Sequence, residues 1–65
     1  MRVSYDPRVD VLSIRLSSSP IEESDEDKPG VILDYDDAGN LLAIEVLDAS
    51  TRVAEPRRVT FSSRG

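Results

Sequence analysis

Carboxylates are the main chemistry this sequence has to offer. Histidine and cysteine are both absent from its 65 residues, which removes nucleophile–base pairs, imidazole or thiolate metal sites and the commonest acid–base group at neutral pH. What remains is carboxylate, hydroxyl and guanidinium. The sharpest constellation is Asp34-x-Asp36-x-x-Gly39, with Glu45 eleven positions after Asp34. That is the spacing of loop positions one, three, six and twelve in a helix–loop–helix calcium site. Against it, Ala38 stands where the fifth-position ligand belongs, Leu42 replaces the ninth, and the flanks alternate like strands. Asp and Gly are also what a hairpin turn selects. The expectation is therefore a turn, with no metal site, no catalytic residue and no cofactor. Asp34, Asp36 and Glu45 stay as the candidates for the alternative, a small carboxylate-dependent metal-binding protein or enzyme.

The elements that would position these residues read as strands. Val3 and Tyr5 alternate with Arg2, Ser4 and Asp6, and Asp6-Pro7-Arg8-Val9-Asp10 supplies turn chemistry. Leu12, Ile14 and Leu16 then share one face, opposite Val11, Ser13, Arg15 and Ser17, the period of a half-buried strand. Val31–Asp36 and Leu41–Leu47 are two further β-rich runs, separated by Asp37-Ala38-Gly39-Asn40. The reading is mostly β: a small four- to five-stranded antiparallel meander with little or no helix. Its strands lie near Arg2–Asp6, Val11–Ser17, Val31–Asp36 and Leu41–Leu47.

Between the second and third strands, Ser18 to Gly30 carries Pro20, the acidic run Glu22-Glu23-Ser24-Asp25-Glu26-Asp27, and Pro29-Gly30. It reads as an exposed connection, with at most a helical turn where Ser19-Pro20-Ile21-Glu22 matches a capping box. After Asp48, residues 49–54 have room for one short turn. The antiparallel domain spans residues 1–52. Residues 53–65 form a C-terminal extension, within which 58–61 is a candidate edge strand.

Size and charge limit the partners. A domain this short buries only ~60% of its unfolded surface, and with no cysteine the usual supplement is oligomerisation. The last two strands carry apolar residues on both faces, and no amphipathic helix is available to cover the second. A homodimer is the expectation, with Val11, Ile32, Leu41 and Leu47 as interface candidates. Thirteen acidic against eight basic side chains give a net charge of −5, which opposes binding to nucleic acid and favours a basic protein as partner. No apolar stretch approaches the ~20 residues of a membrane span, and the N-terminus lacks the apolar run of a secretion signal. A cytoplasmic location is the resulting expectation.

Several of these residues together resemble a known family. Tyr5-Asp6 with Asp10, Leu12, Ile14 and Leu16, then Gly30-Val31-Ile32-Leu33-Asp34-Tyr35-Asp36, Gly39, and Ile44-Glu45-Val46-Leu47-Asp48-Ala49-Ser50 look like the domain-of-unknown-function family numbered 2283. The similarity runs from Met1 to about Ser50. The family consists of small prokaryotic proteins with no established activity, some encoded beside putative toxin genes. The resemblance implies a fold, and it gives the leading functional expectation its concrete form: a non-enzymatic protein–protein interaction module that is antitoxin-like.

Overall fold

The computed structural model describes residues 1–56 of the chain. Five strands form a single antiparallel sheet: β1 (Arg2–Asp6), β2 (Val11–Arg15), β3 (Glu23–Lys28), β4 (Val31–Tyr35) and β5 (Leu41–Leu47). One four-residue helix, α1 (Ala49–Arg52), follows β5. The fold is mostly β and antiparallel, as the alternation implies, and the four expected strands appear within two residues of their expected limits. No helix among the described residues is long and apolar enough to cross a membrane. The candidate edge strand at 58–61 lies outside the described residues.

Two expectations are corrected. Residues Glu23–Lys28, read as a solvated connection, form β3, every residue of which is exposed. Acidic residues have low strand propensity, but β4 offers a row of backbone partners and β3 pairs with it from Glu23↔Tyr35 to Lys28↔Val31; tertiary pairing outweighs the local preference. A register shift at Asp27 accommodates one extra residue. Residues 19–22 are not helical; no apolar face follows the capping-box residues to hold a turn in place. The strand order also departs from a plain meander. It is β1-β2-β5-β4-β3, so the β1–β2 hairpin docks against the far side of a β3-β4-β5 meander through β2 and β5.

The registers decide which side chains share a face, because directly opposed residues point the same way. On one face, Val3, Ile14, Ile44 and Leu33 form a row across β1, β2, β5 and β4, and Tyr5, Leu12, Val46 and Val31 form the next. This is the apolar face. Leu12 and Leu42 on it are only 2% exposed, whereas the other seven are half-buried. The opposite face is mixed. It carries the row Arg2, Arg15, Ala43, Asp34, Ser24 and the row Ser4, Ser13, Glu45, Ile32, Glu26. Among the described residues no second layer packs over either face, since each strand's extensive contacts are with its sheet neighbours.

The short helix ties two turns together at one end of the sheet. Asp48, its N-cap residue, is in the left-handed region (φ 52°) and makes no side-chain cap. Asp10 in the β1–β2 turn supplies one instead. Its carboxylate accepts from the Ser50 N–H (3.0 Å), the Ser50 hydroxyl (2.7 Å) and the Tyr5 hydroxyl (2.7 Å), and its carbonyl accepts from the Ala49 N–H (3.0 Å). Such bonds satisfy helix-terminal donors that otherwise lack partners. At the other end of the helix, the Arg52 guanidinium donates to the Pro29 carbonyl and lies 3.3 Å from where a Cβ on Gly30 would stand. Gly30 has φ +82°, so both backbone conformation and this close approach favour glycine.

Candidate functional site

The three carboxylates singled out by spacing do not converge. Asp36 belongs to the β4–β5 turn: its carboxylate accepts from the Ala38 N–H (2.9 Å), the Asn40 N–H (2.8 Å) and the Asn40 side-chain amide (2.9 Å). These bonds, that from the Asn40 side chain above all, hold its pKa below the ordinary Asp value. Gly39 completes the turn at φ +84°. The Asp-x-x-Gly signal is thus spent on closing a hairpin. Among the described residues no three of His, Cys, Asp and Glu come together to hold a metal ion.

Asp34 and Glu45 do meet, on the mixed face. Asp34 is 2% exposed and accepts a 2.5 Å hydrogen bond from the Ser24 hydroxyl of the neighbouring strand. It opposes Ala43 on β5, and Glu45, two residues on, projects from the same face beside it. Burial, and then the neighbouring Asp34 carboxyl, push the Glu45 pKa above its ordinary value, while Arg15 on the other flank pulls it down. Arg15 is itself engaged, donating to the carbonyls of Ser17 (2.6 Å) and Ser19 (2.8 Å). The two carboxyls are neighbours on this face. Asp34 is covered but Glu45 remains partly exposed, and among the described residues no second layer encloses the pair or orients a substrate. Depressions on this face, lined by Arg2, Ser4, Ser13 and Arg15 and by Ser4, Asp6, Arg8 and Val11, are shallow and open.

The raised Glu45 pKa has a testable sign. A carboxyl whose folded pKa exceeds its unfolded value contributes stability below the unfolded pKa and loses it as pH rises through the folded one. Glu45→Gln removes that dependence. We expect the variant to match wild type near pH 4 and to gain on the order of 0.5–1 kcal/mol by about pH 8, roughly the cost of adjacent like charges on a sheet. Thermal melts across that range check it; equal pH slopes for the two proteins would remove the argument.

Three of the four interface candidates fall together, though not on the more apolar face. Val11 opposes Leu47, and Ile32 opposes Glu45; Leu41, 37% exposed, lies beyond a register shift and opposes Tyr35 instead. Val11, Ile32 and Leu47 share the mixed face, interrupted by Asp34, Glu45, Ser13 and Arg15. The sequence reading treated both faces of β4 and β5 as equally apolar. It could not know that β2 would lie beside β5 and bring Ser13 and Arg15 to one face and Leu12 and Ile14 to the other.

Sequence reasoning also missed Asp10 as a fastening point and the Ser24–Asp34 bond. A signal was present for Asp34, a lone acid inside the apolar run Val31-Ile32-Leu33-Asp34-Tyr35. A charge in such a run either faces water or needs a partner. For Asp10 the bonds reach residues forty positions away, and no local pattern announces them.

No curated protein and no solved structure matches the chain. A family model described as "Protein of unknown function (DUF2283)" matches residues 2–50. That span contains Tyr5, Asp10 and Ser50, which fasten the helix, and the turn residues Gly30, Asp36 and Gly39. On a match covering most of its length, the chain belongs to the DUF2283 family.

Proposed function

We propose that this chain is a non-enzymatic protein-interaction module, antitoxin-like in its concrete form, that takes a basic protein segment along β3. The observation that carries the reading is an open sheet edge. β3 ends the strand order, and all six of its residues are exposed. An edge strand can accept one more strand through its backbone, and its side chains then set which strand is accepted. Here they are Glu23, Asp25, Glu26 and Asp27, with Lys28 alone opposing them. Like charges facing across a ladder are destabilising, so β3 rejects β3 of a second copy and accepts a strand bearing Lys or Arg. The carboxylate-dependent alternative would have to be built on Asp34 and Glu45 without Asp36.

The probe is a short peptide alternating Val and Lys, titrated into isotope-labelled full chain at low salt. Amide shifts concentrated on Glu23–Lys28, weakened by added salt and lost when those four acids become Gln or Asn, are the expected result. Shifts confined to other strands, or binding indifferent to the four substitutions, would overturn the proposal.

A further inference from the structure

The sheet has a second edge, and the residues of that edge complement themselves. Among the described residues β1 ends the strand order on the side away from β3. It lacks the devices that usually protect a sheet edge. β3 has its acids and a register shift at Asp27, whereas β1 keeps an unbroken register with β2 over all five residues and carries one Arg and one Asp. Laid antiparallel to a copy of itself about Ser4, the strand Arg-Val-Ser-Tyr-Asp sets Arg2 opposite Asp6 twice, Val3 opposite Tyr5 twice, and Ser4 opposite Ser4. We infer that a second copy of this chain pairs here, β1 antiparallel to β1, so that two sheets join edge to edge into one of ten strands.

Register, symmetry and charge select this occupant. Opposite charges, and an aromatic beside a β-branched residue, are favourable pairs across an antiparallel ladder. A slip of one residue would oppose Val3 to Ser4 and put the two apolar faces on opposite sides; a slip of two would break both Arg2–Asp6 pairs. A two-fold axis through Ser4, the middle residue of β1, presents the same strand from both copies. Asp6 is already held by Arg8, whose backbone N–H (3.0 Å) and Nε (3.3 Å) donate to Oδ1 and whose Nη2 (3.3 Å) donates to Oδ2. A carboxylate has about four acceptor sites, so Oδ2 retains one for Arg2 of the second copy. The net charge of −5 does not set the balance at this edge. The acidic strand β3 lies four strand spacings away, about 19 Å. The two β3 edges of such a dimer stand nine spacings apart, about 43 Å, against a Debye length of ~8 Å at physiological salt. β3 of another copy is a poorer match for β1, because Asp6 would meet acids there.

A ladder of five residues is a small interface, and the dimer it makes is weak and reversible. Sedimentation equilibrium of the full chain should show the average mass rising from 7.2 kDa toward twice that value through tens to hundreds of micromolar. Arg2→Asp and Asp6→Arg should each weaken association at least tenfold, because each turns two attractive pairs into two repulsive ones. An equimolar mixture of the two variants should recover it, since every charged pair across the mixed ladder is again opposite in sign. A mixture of isotope-labelled and unlabelled wild-type chains supplies a readout independent of substitution: intermolecular contacts between the Val3 methyl groups and the Tyr5 ring. A monomer at all these concentrations would overturn the inference. So would a dimer indifferent to both substitutions, a dimer lost on Leu41→Asp instead, or a mass that climbs beyond two chains, the mark of copies joined β1 to β3 in an open series. The β1 edge lies across the sheet from β3 and the test contains no basic partner, so this inference and the β3 proposal can fail separately.

Discussion

Leu12→Ala and Leu42→Ala should each cost about 3 kcal/mol, within the usual range for emptying a buried leucine site. The magnitude matters because a chain of this size has roughly 3–10 kcal/mol to lose. Among the described residues, Leu12 and Leu42 are the two large apolar side chains that are nearly fully enclosed; the other buried apolar residues are Ala43 and Ala49. They occupy β2 and β5, the strands through which the hairpin and the meander join, so each cavity would open at that junction. Thermal unfolding followed by circular dichroism checks this, at one protein concentration so that self-association does not shift the comparison. A drop of roughly 12–24 °C is expected for each, at ~4–8 °C per kcal/mol in so small a domain. Leu41→Ala, at a site 37% exposed, should shift by a few degrees at most. Losses below 1 kcal/mol at both Leu12 and Leu42 would mean that the core lies elsewhere.

Asp10→Ala should detach α1 from the sheet. Three donors converge on the Asp10 carboxylate, and the substitution leaves all three without that acceptor. Asp10 also has φ 56°, which an alanine adopts less readily, adding ~1 kcal/mol. Two further variants separate these causes. Asp10→Gly relieves the backbone and loses the bonds; Asp10→Asn tolerates the backbone and keeps an acceptor. Stability should fall in the order wild type, Asn, Gly, Ala. Hydrogen exchange at the Ser50 amide supplies the local readout, with protection reduced in the Gly and Ala variants. Unchanged Ser50 protection in Asp10→Ala would show that the helix is held by something other than this carboxylate. The bonds from Ser50 and Tyr5 hold the Asp10 pKa below the ordinary value, so this fastening is complete above the usual Asp range and loosens as pH falls through the folded pKa. Glu45 trends the opposite way, which places greatest stability between the two.

Four of the strands were legible because each alternates or is β-rich and is bounded by turn chemistry, as in Val11-Leu12-Ser13-Ile14-Arg15 after the Pro7–Asp10 turn. β3 was not, because Glu-Ser-Asp-Glu-Asp-Lys carries no apolar alternation; its geometry comes from the partner strand rather than from its own residues. Faces follow from alternation, but neighbours do not. That is why Val11, Ile32, Leu41 and Leu47 could be named as interface candidates while the polar company of three of them, and the register shift that sets Leu41 opposite Tyr35, stayed hidden. Of the three candidate carboxylates, Asp36, expected at the end of a strand, closes the turn that follows it. The closeness of Asp34 and Glu45 depends on the β4–β5 register and a shift beside Asp34, neither of which a spacing rule contains.

The strand order also divides the chain in time. The β1–β2 pairing and the β3-β4-β5 pairings each join segments adjacent in sequence, so both units can close over short loops on the microsecond scale of isolated hairpins. The β2–β5 ladder, from Val11↔Leu47 to Arg15↔Ala43, forms only when the ends of the whole intervening meander are brought together. The entropy of that closure falls on a single docking event, and Leu12, which lies in that ladder, is placed to act in the folding nucleus. The connection through residues 16–22 sets little of the barrier, since doubling a flexible loop adds only ~0.6 kcal/mol. This small sheet is therefore kinetically two pieces, and its folding speed is set at the seam between them.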